Sequence, residues 1–216
     1  MKRHWLLVAA VAGMPFAAPA EEAQKAAAPA ANPQRAQQIV SQVCAACHGA
    51  DGNSPSPANP NLAGQAADYI TLQLAHFKAG IRPSPIMQPM AATLSDDDMR
   101  ALGAYFAQQK PKGLTAKDAS TVKMAQQLYR GGDAENDVPA CASCHSPDGA
   151  GIPKNFPRVG GQHADYTYAQ LQAFKMGQRG NDKEGKDVNG RIMGTIASRL
   201  SDAQMKAVAD YTAGLR

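Results

Sequence analysis

Several features that define other protein classes are scarce or missing in this sequence of 216 residues. No convincing alternation of apolar and polar residues predicts a β-strand. No basic stripe is present and the formal net charge is only +4, so nucleic acid is not an expected partner. Beyond the N-terminus no apolar run approaches the roughly 20 residues that span a bilayer, although peripheral association with a membrane stays open. Aromatic residues make up only 6% of the chain, so few large side chains are available to build a core.

Cysteine is also scarce, and its placement is the most informative feature of the chain. All four cysteines lie in two copies of one motif, 97 positions apart: Cys44-Ala-Ala-Cys47-His48 and Cys141-Ala-Ser-Cys144-His145. The pattern Cys-x-x-Cys-His is the attachment site of c-type haem. Its two cysteines lie one helical turn apart and form thioethers with the porphyrin, and its histidine is the proximal ligand of the iron. The motifs therefore predict two covalent haem c groups, each with its iron.

Three other uses of four cysteines are weaker. Two Cys-x-x-Cys disulfides would strain their short loops and leave the histidines without a role. A single zinc site would have to join halves that are far more widely separated than those of a zinc finger. A thioredoxin-like redox pair is expected beside strands, and none is predicted here.

The N-terminus has the three parts of a secretory signal. Lys2 and Arg3 supply the positive charge, Trp5–Phe16 is mostly apolar, and Ala18–Ala20 resembles a cleavage site. We therefore expect a signal peptide at residues 1–20, cleaved near Ala20. An Ala/Pro-rich flexible leader at 21–33 would follow. Because c-type haem is attached after export, the expected location is the periplasm or an equivalent compartment.

The chain is also an internal duplication. Leu62–Tyr69 matches Val159–Tyr166 at the offset of the haem motifs, and Leu94–Asp96 matches Leu200–Asp202 at a larger offset. A repeat of this length, present twice, indicates two like domains rather than a solenoid. Each half carries one haem motif.

The duplication sets the expected domain boundaries. We expect an N-terminal domain at 34–110, a polar linker at 111–117 that contains Pro and Gly breakers, and a C-terminal domain at 118–216. The second half has eight extra residues just before Cys141 and nine more in the segment Gln178–Gly190, which is predicted to be a surface loop.

Apolar spacing predicts helices in both halves and an all-α fold. In the helix predicted at Asp68–Ala79, Ile70, Leu74 and Phe77 share one face. Ser95 caps the last predicted helix of the first half. Because large apolar residues are few, each porphyrin is expected to supply much of its domain's core. The predicted spans are Gln34–Cys44, Asp68–Ala79, Ser95–Gln109, Thr121–Gly131, Asp165–Gly177 and Ser201–Gly214.

The duplication also points to the second axial ligands. Met87 and Met193 each lie seven residues before a Leu-Ser-Asp helix start, and methionine paired with histidine is a common iron ligation in cytochromes c. Met90 competes with Met87, but it matches Ile196, which cannot bind iron, and it could instead fill a gap in the core. Another methionine pair is expected to pack on the last helix of each half: Met99 and Met205.

Other paired residues suggest supporting roles. Pro60 and Pro157 each lie twelve residues after a motif histidine, and their carbonyls are candidate acceptors for the second ring nitrogen of that histidine. Two residue pairs recur near the expected haem and would either bind its propionates or pack the helices: Gln65 with Gln162, and Tyr69 with Tyr166. His76 and His163 have no histidine counterpart and are expected to be exposed.

These motifs make the chain resemble the dihaem cytochromes c4. The residues that carry the resemblance are Cys44–Pro55, Leu62–Gln65, Leu94–Asp96, Ala104–Phe106, Arg130–Gly132, Cys141–His145 and Gly160–His163. The resemblance implies two small class I cytochrome c folds whose haem propionate edges face each other across a pseudo-twofold interface. It also implies that the iron ligands are His48, Met87, His145 and Met193.

The resulting hypothesis is a periplasmic electron carrier rather than an enzyme. By resemblance, the donor would be a quinol-oxidising complex and the acceptor a terminal oxidase. Two alternatives stay open: the haem subunit of a flavocytochrome sulfide dehydrogenase, and a dihaem redox enzyme. An enzyme would need an open position at one iron, whereas both halves place a methionine at the same point.

Overall fold

The computed structural model describes residues 32–216, and its helices are joined by turns and irregular segments. Within that range the only β-type pairings are two isolated bridges, Asp133 with Val138 and Ile152 with Phe156. None of the helices in the described range is both long and apolar enough to span a bilayer. The expected signal peptide and most of the leader lie outside the described residues.

The first half has four helices. The first, α1, is continuous through three segments and contains one π-helical turn. The helices are α1 at Pro33–Ile39, Val40–Cys44 (π) and Ala45–His48, α2 at Ala67–Lys78, α3 at Met87–Ala92 and α4 at Asp96–Ala107.

The second half repeats this order, but the eight extra residues separate its first helix from its haem motif. A short 3-10 turn at Ala134–Asn136 lies in that insertion. The helices are α5 at Val122–Gly131, α6 at Ala142–His145, α7 at Ala164–Lys175, α8 at Val188–Ser198 and α9 at Asp202–Ala213.

In each half the last helix packs against two other helices. α4 packs on α1 and α2, and α9 packs on α5 and α7. The predicted packing role of Met99 and Met205 is confirmed, because both are buried in these cores. The two clusters of buried residues include Val40, Ile70, Leu102 and Phe106 in the first half and Leu128, Tyr129, Leu171 and Val208 in the second.

The predicted all-α class is confirmed. Most helix ends lie within about two residues of those expected, but α1 continues to His48, four residues beyond its expected end at Cys44. The sequence patterns did not predict α3 and α8, the two helices that carry Met87 and Met193. The expectation that Gln178–Gly190 is simply a surface loop is wrong, because Arg179 and Asp187 within it are buried. Both side chains face the first half, which covers them.

Candidate functional site

The two motif histidines are held in the same way. His48 ends α1 and His145 ends α6, and both side chains are buried. Nδ1 of His48 is 2.9 Å from the carbonyl oxygen of Pro60, and Nδ1 of His145 is 2.8 Å from that of Pro157. The predicted proline acceptors are therefore confirmed.

These bonds determine which ring nitrogen can bind a metal. A carbonyl oxygen only accepts hydrogen bonds, so Nδ1 carries the proton and Nε2 keeps its lone pair. Burial lowers the pKa of both His48 and His145, and the bond to the proline carbonyl opposes this shift only in part. Both rings are thus neutral imidazoles, which is the form that ligates iron.

No disulfide joins any two of the four motif cysteines. Across residues 32–216 no group of three or more His, Cys, Asp or Glu side chains could hold a metal ion. The structure therefore gives no support to the disulfide or zinc alternatives.

A single cavity of about 830 Å³ runs through both halves, a size typical of a small-molecule or cofactor site. His48 and His145 line it, and so do Met87 on α3 and Met193 on α8. Met90 also lines the cavity, and 44% of its surface is exposed. Cys44 and Cys47 reach the same cavity.

Two buried arginines lie where the halves meet. Arg82 stacks over the ring of Phe77, with 4.6 Å from its Cζ to the ring centre. Its Nη1 donates to the Gln73 side-chain oxygen of its own half at 2.7 Å. Its Nη2 donates across the boundary to Tyr166 Oη and to Gln170 Oε1, both at 2.8 Å.

Arg179 makes the equivalent set of contacts from the other half. It stacks over Phe174 at 4.4 Å and donates to Gln170 of its own half at 2.8 Å. Its Nη2 donates across the boundary to Tyr69 Oη at 2.9 Å and to Gln73 Oε1 at 3.1 Å. The two arginines thus share one polar cluster, to which each half contributes one Arg, one Tyr and one Gln.

This cluster has an unbalanced positive charge. In the part of the chain that the structure describes, no carboxylate lies within 4.0 Å of either guanidinium, and the buried Nε of Arg179 has no hydrogen-bond partner. Burial would raise the pKa of Tyr166, but the two arginines outweigh it and the pKa is lowered. Asp187 acts on Arg179 only from beyond that distance. Buried cations without an ion-pair partner are costly, so these residues fit an anionic group such as the carboxylates of haem.

The sequence interpretation missed this arginine pair. Arg82 and Arg179 are separated by the same 97 positions as the haem motifs, and this recurrence would have identified them. Tyr69 and Tyr166 were noted because they recur, and both turn out to accept hydrogen bonds from these arginines.

Gln65 and Gln162 also cross the boundary between the halves. The Asn61 N–H donates to Oε1 of Gln162 at 2.8 Å, and Nε2 of Gln162 donates to the Asn61 carbonyl oxygen at 3.0 Å. Gln65 binds both backbone groups of Arg158, at 2.9 and 3.0 Å. Both side chains therefore bind protein backbone.

The expectation that His76 is exposed is wrong, because only 5% of its surface is accessible. Asp187 from the other half approaches it, with 4.0 Å between His76 Nδ1 and Asp187 Oδ2. Burial lowers the pKa of His76 below its ordinary 6.5, and Asp187 opposes the shift only in part. The two side chains are therefore close but do not form an ion pair at neutral pH. His163 is partly exposed, and its Nε2 lies 3.0 Å from the Ser54 carbonyl of the first half.

Comparison with known proteins agrees with this architecture. Residues 122–215 match the family model described as "Cytochrome c", and residues 31–106 match the one described as "Cytochrome C oxidase, cbb3-type, subunit III". Cytochrome c4 of Pseudomonas aeruginosa is 43% identical over 187 residues, which cover 86% of this chain and 90% of that protein. The thiosulfate dehydrogenase electron acceptor of Thiomonas intermedia is 38% identical over 214 residues, covering 98% and 90%.

A solved structure shows the same fold. The crystal structure of reduced recombinant cytochrome c4 from Pseudomonas stutzeri superposes with a TM-score of 0.78 at 39% identity, and the match covers 87% of this chain and 100% of that one. The chain therefore belongs to the cytochrome c4 family, and it is an electron-transfer protein with two tandem cytochrome c domains, each with a covalent haem c.

Proposed function

We propose that this protein carries single electrons between respiratory redox proteins of the periplasm. The thioethers would form at Cys44 and Cys47 in the first domain and at Cys141 and Cys144 in the second. The iron ligands would be His48 with Met87, and His145 with Met193. The proposed domains are 34–110 and 118–216, joined by the linker 111–117.

One observation carries the ligand proposal. Each motif histidine has its Nδ1 fixed by a proline carbonyl, and in each half a methionine at the same repeat position lines the same cavity. A histidine fixed at Nδ1 presents Nε2 to a metal. Two equivalent His and Met pairs would give two closed iron sites, as an electron carrier needs.

Haem iron, when bound, supplies one-electron chemistry between the ferrous and ferric states. The protein's residues determine how readily that electron is gained. The apolar cavity walls exclude water, the proline carbonyls orient the histidines, and Arg82 and Arg179 would bind the haem carboxylates. Their positive charge favours the reduced state.

The proposed partners are a quinol-oxidising complex as donor and a terminal oxidase as acceptor. Similarity to cytochrome c4, a redox carrier, supports redox proteins as the partners. Another candidate is electron acceptance from a thiosulfate-oxidising enzyme, because the Thiomonas relative of that name covers nearly the whole chain. Co-purification of a flavoprotein would instead favour a flavocytochrome subunit.

The test is the visible absorption spectrum of the holoprotein, oxidised and reduced, with and without carbon monoxide. We expect two low-spin haems, a methionine-to-ferric-iron charge-transfer band and no carbon monoxide binding. Met87→Ala and Met193→Ala should each remove about half of that band, because each opens one of the two iron sites. Each variant should then bind carbon monoxide at one haem.

Met90→Ala is the matched control and should keep the spectrum unchanged. If Met90→Ala opened a site and Met87→Ala did not, the ligand assignment in the first domain would be wrong. Carbon monoxide binding by the unmodified protein would show an open iron, and the carrier function would have to be abandoned for an enzymatic one.

A further inference from the structure

Each of the two boundary-crossing glutamines binds a particular peptide unit of the opposite half. In the first half, that unit joins Pro60 to Asn61. Its N–H lies 2.8 Å from Oε1 of Gln162, and its carbonyl oxygen lies 2.9 Å from Nδ1 of His48. One peptide group therefore lies between the motif histidine of one half and a glutamine of the other.

The second half has the same arrangement in reverse. The peptide unit that joins Pro157 to Arg158 has its N–H 2.9 Å from Oε1 of Gln65. Its carbonyl oxygen lies 2.8 Å from Nδ1 of His145. Gln65 is buried and makes a further bond to the Arg158 carbonyl, so its orientation is fixed on both sides.

A rigid peptide unit transmits both orientation and polarity. Because the unit is planar, a side chain that fixes its N–H also fixes the direction of its carbonyl. An acceptor at the N–H polarises the unit and strengthens the carbonyl as an acceptor. The stronger bond to Nδ1 makes the imidazole a more basic ligand, and a more basic ligand stabilises ferric iron.

We propose that Gln65 is a positioning residue for the haem of the second domain, and Gln162 for the haem of the first. This inference rests on the proposed ligation by His48 and His145. Each domain thereby lowers the reduction potential of the haem in the other domain, through one hydrogen-bonded chain. The two potentials depend on the contact between the domains as well as on each haem's own pocket.

The experiment is a pair of substitutions in the full-length holoprotein, Gln65→Leu and Gln162→Leu. Leucine keeps much of the side-chain volume and removes both polar groups. The two potentials are measured by redox titration and assigned to each haem through the NMR signals of the His48 and His145 rings. The exchange rate of each ring N–H proton is measured alongside.

The expected pattern is crosswise. Gln162→Leu should raise the potential of the first haem and speed exchange of the His48 proton, leaving the second haem unchanged. Gln65→Leu should do the same to the second haem and His145. Gln162→Glu keeps the acceptor oxygen and should keep the His48 proton in slow exchange, which would also decide the matter if the leucine variant did not fold.

A glutamine that only joined the domains would give a different result. If each substitution shifted the haem of its own domain, shifted both haems equally or shifted neither, the proposal would be overturned. His163→Leu is the control, because it removes a bond across the same boundary that involves neither proline peptide. An absorption spectrum that shows two six-coordinate haems in every variant would leave the proposed function standing whatever the potentials do.

Discussion

The residue after each motif histidine must turn the chain sharply. Gly49 has φ of +75° and Ser146 has φ of +68°, and both have ψ near 150°. This conformation is accessible to glycine and strained for other residues. At Gly49 the chain also passes close to itself, since an added Cβ would lie 2.5 Å from the Asn53 carbonyl oxygen.

Gly49→Ala should therefore destabilise the holoprotein by about 1–3 kcal/mol, the usual cost of such backbone strain. Denaturant unfolding followed by haem absorbance measures the effect. Gly131→Ala is the control, because Gly131 is helical and an added Cβ would meet nothing within 4 Å. Equal stability of Gly49→Ala and the unmodified protein would show that this turn relaxes freely.

Single residues differ in how well the sequence predicts them. The acceptor role of Pro60 and Pro157 could be predicted, because both prolines lie at the same distance from a motif histidine. A ligating histidine also needs an acceptor at Nδ1. The environment of His76 was not predicted, because Asp187 covers it from the other half of the chain. Periodicity within one helix carries no information about such a contact.

At the scale of helices, the last helix of each half begins with a capping box, but the two boxes use different side chains. In α4 the Ser95 hydroxyl accepts from the Asp98 N–H at 3.1 Å, and Asp98 accepts in return from the Ser95 N–H at 3.1 Å. In α9 the same exchange joins Ser201 and Gln204. Only the first of these capping boxes contains a group that titrates.

The two boxes should respond differently to acid. Burial raises the pKa of Asp98, but hydrogen bonds from Ser95 and Arg35 outweigh it, so the pKa lies below its ordinary 3.8. A carboxyl with a depressed pKa stabilises the fold above its ordinary pKa, and the stabilisation is lost as pH falls through the lowered value.

Ser95→Ala and Ser201→Ala should each cost about 1 kcal/mol near neutral pH, as the loss of an N-cap usually does. In acid, the cost of Ser95→Ala should fall while that of Ser201→Ala stays the same. The measurement is denaturant unfolding of both variants from neutral pH down to acid pH. Parallel pH profiles for the two would contradict a titrating cap at Asp98.

The sequence patterns do not predict helices α3 and α8, which carry Met87 and Met193. No side chain caps α3, which contains Pro89 and spans only Met87–Ala92. Within α8, Gly190 and Gly194 lower helix propensity, although Asp187 caps it. The methionines were nevertheless found, because comparison of the two repeats locates them without any assignment of secondary structure.

At the scale of the whole molecule, the arginine cluster belongs to both halves. Arg82→Gln and Arg179→Gln each remove one positive charge from a buried site between the haem pockets. Charges act strongly in such a setting because solvent screens them little. Each substitution should therefore lower both reduction potentials, unlike the crosswise effect of the glutamines.

Redox titration of the two holoprotein variants checks this prediction. Arg130→Gln removes the same charge from an exposed position on α5 and should leave both potentials nearly unchanged. Potentials in Arg82→Gln and Arg179→Gln that match those of Arg130→Gln would mean that the cluster does not act on the haems.

The glutamine contacts across the boundary are reciprocal, since Gln65 binds Arg158 as Gln162 binds Asn61. Such reciprocity is the mark of an isologous interface, the kind that closes a twofold homodimer. Gene duplication and fusion of a homodimer would produce this arrangement and would replace a concentration-dependent association by a permanent one. In that history the contact surface is older than the fused chain. The contacts of His76 with Asp187 and of His163 with Ser54 have no counterpart in the repeat, and in that history they arose by divergence of the two halves.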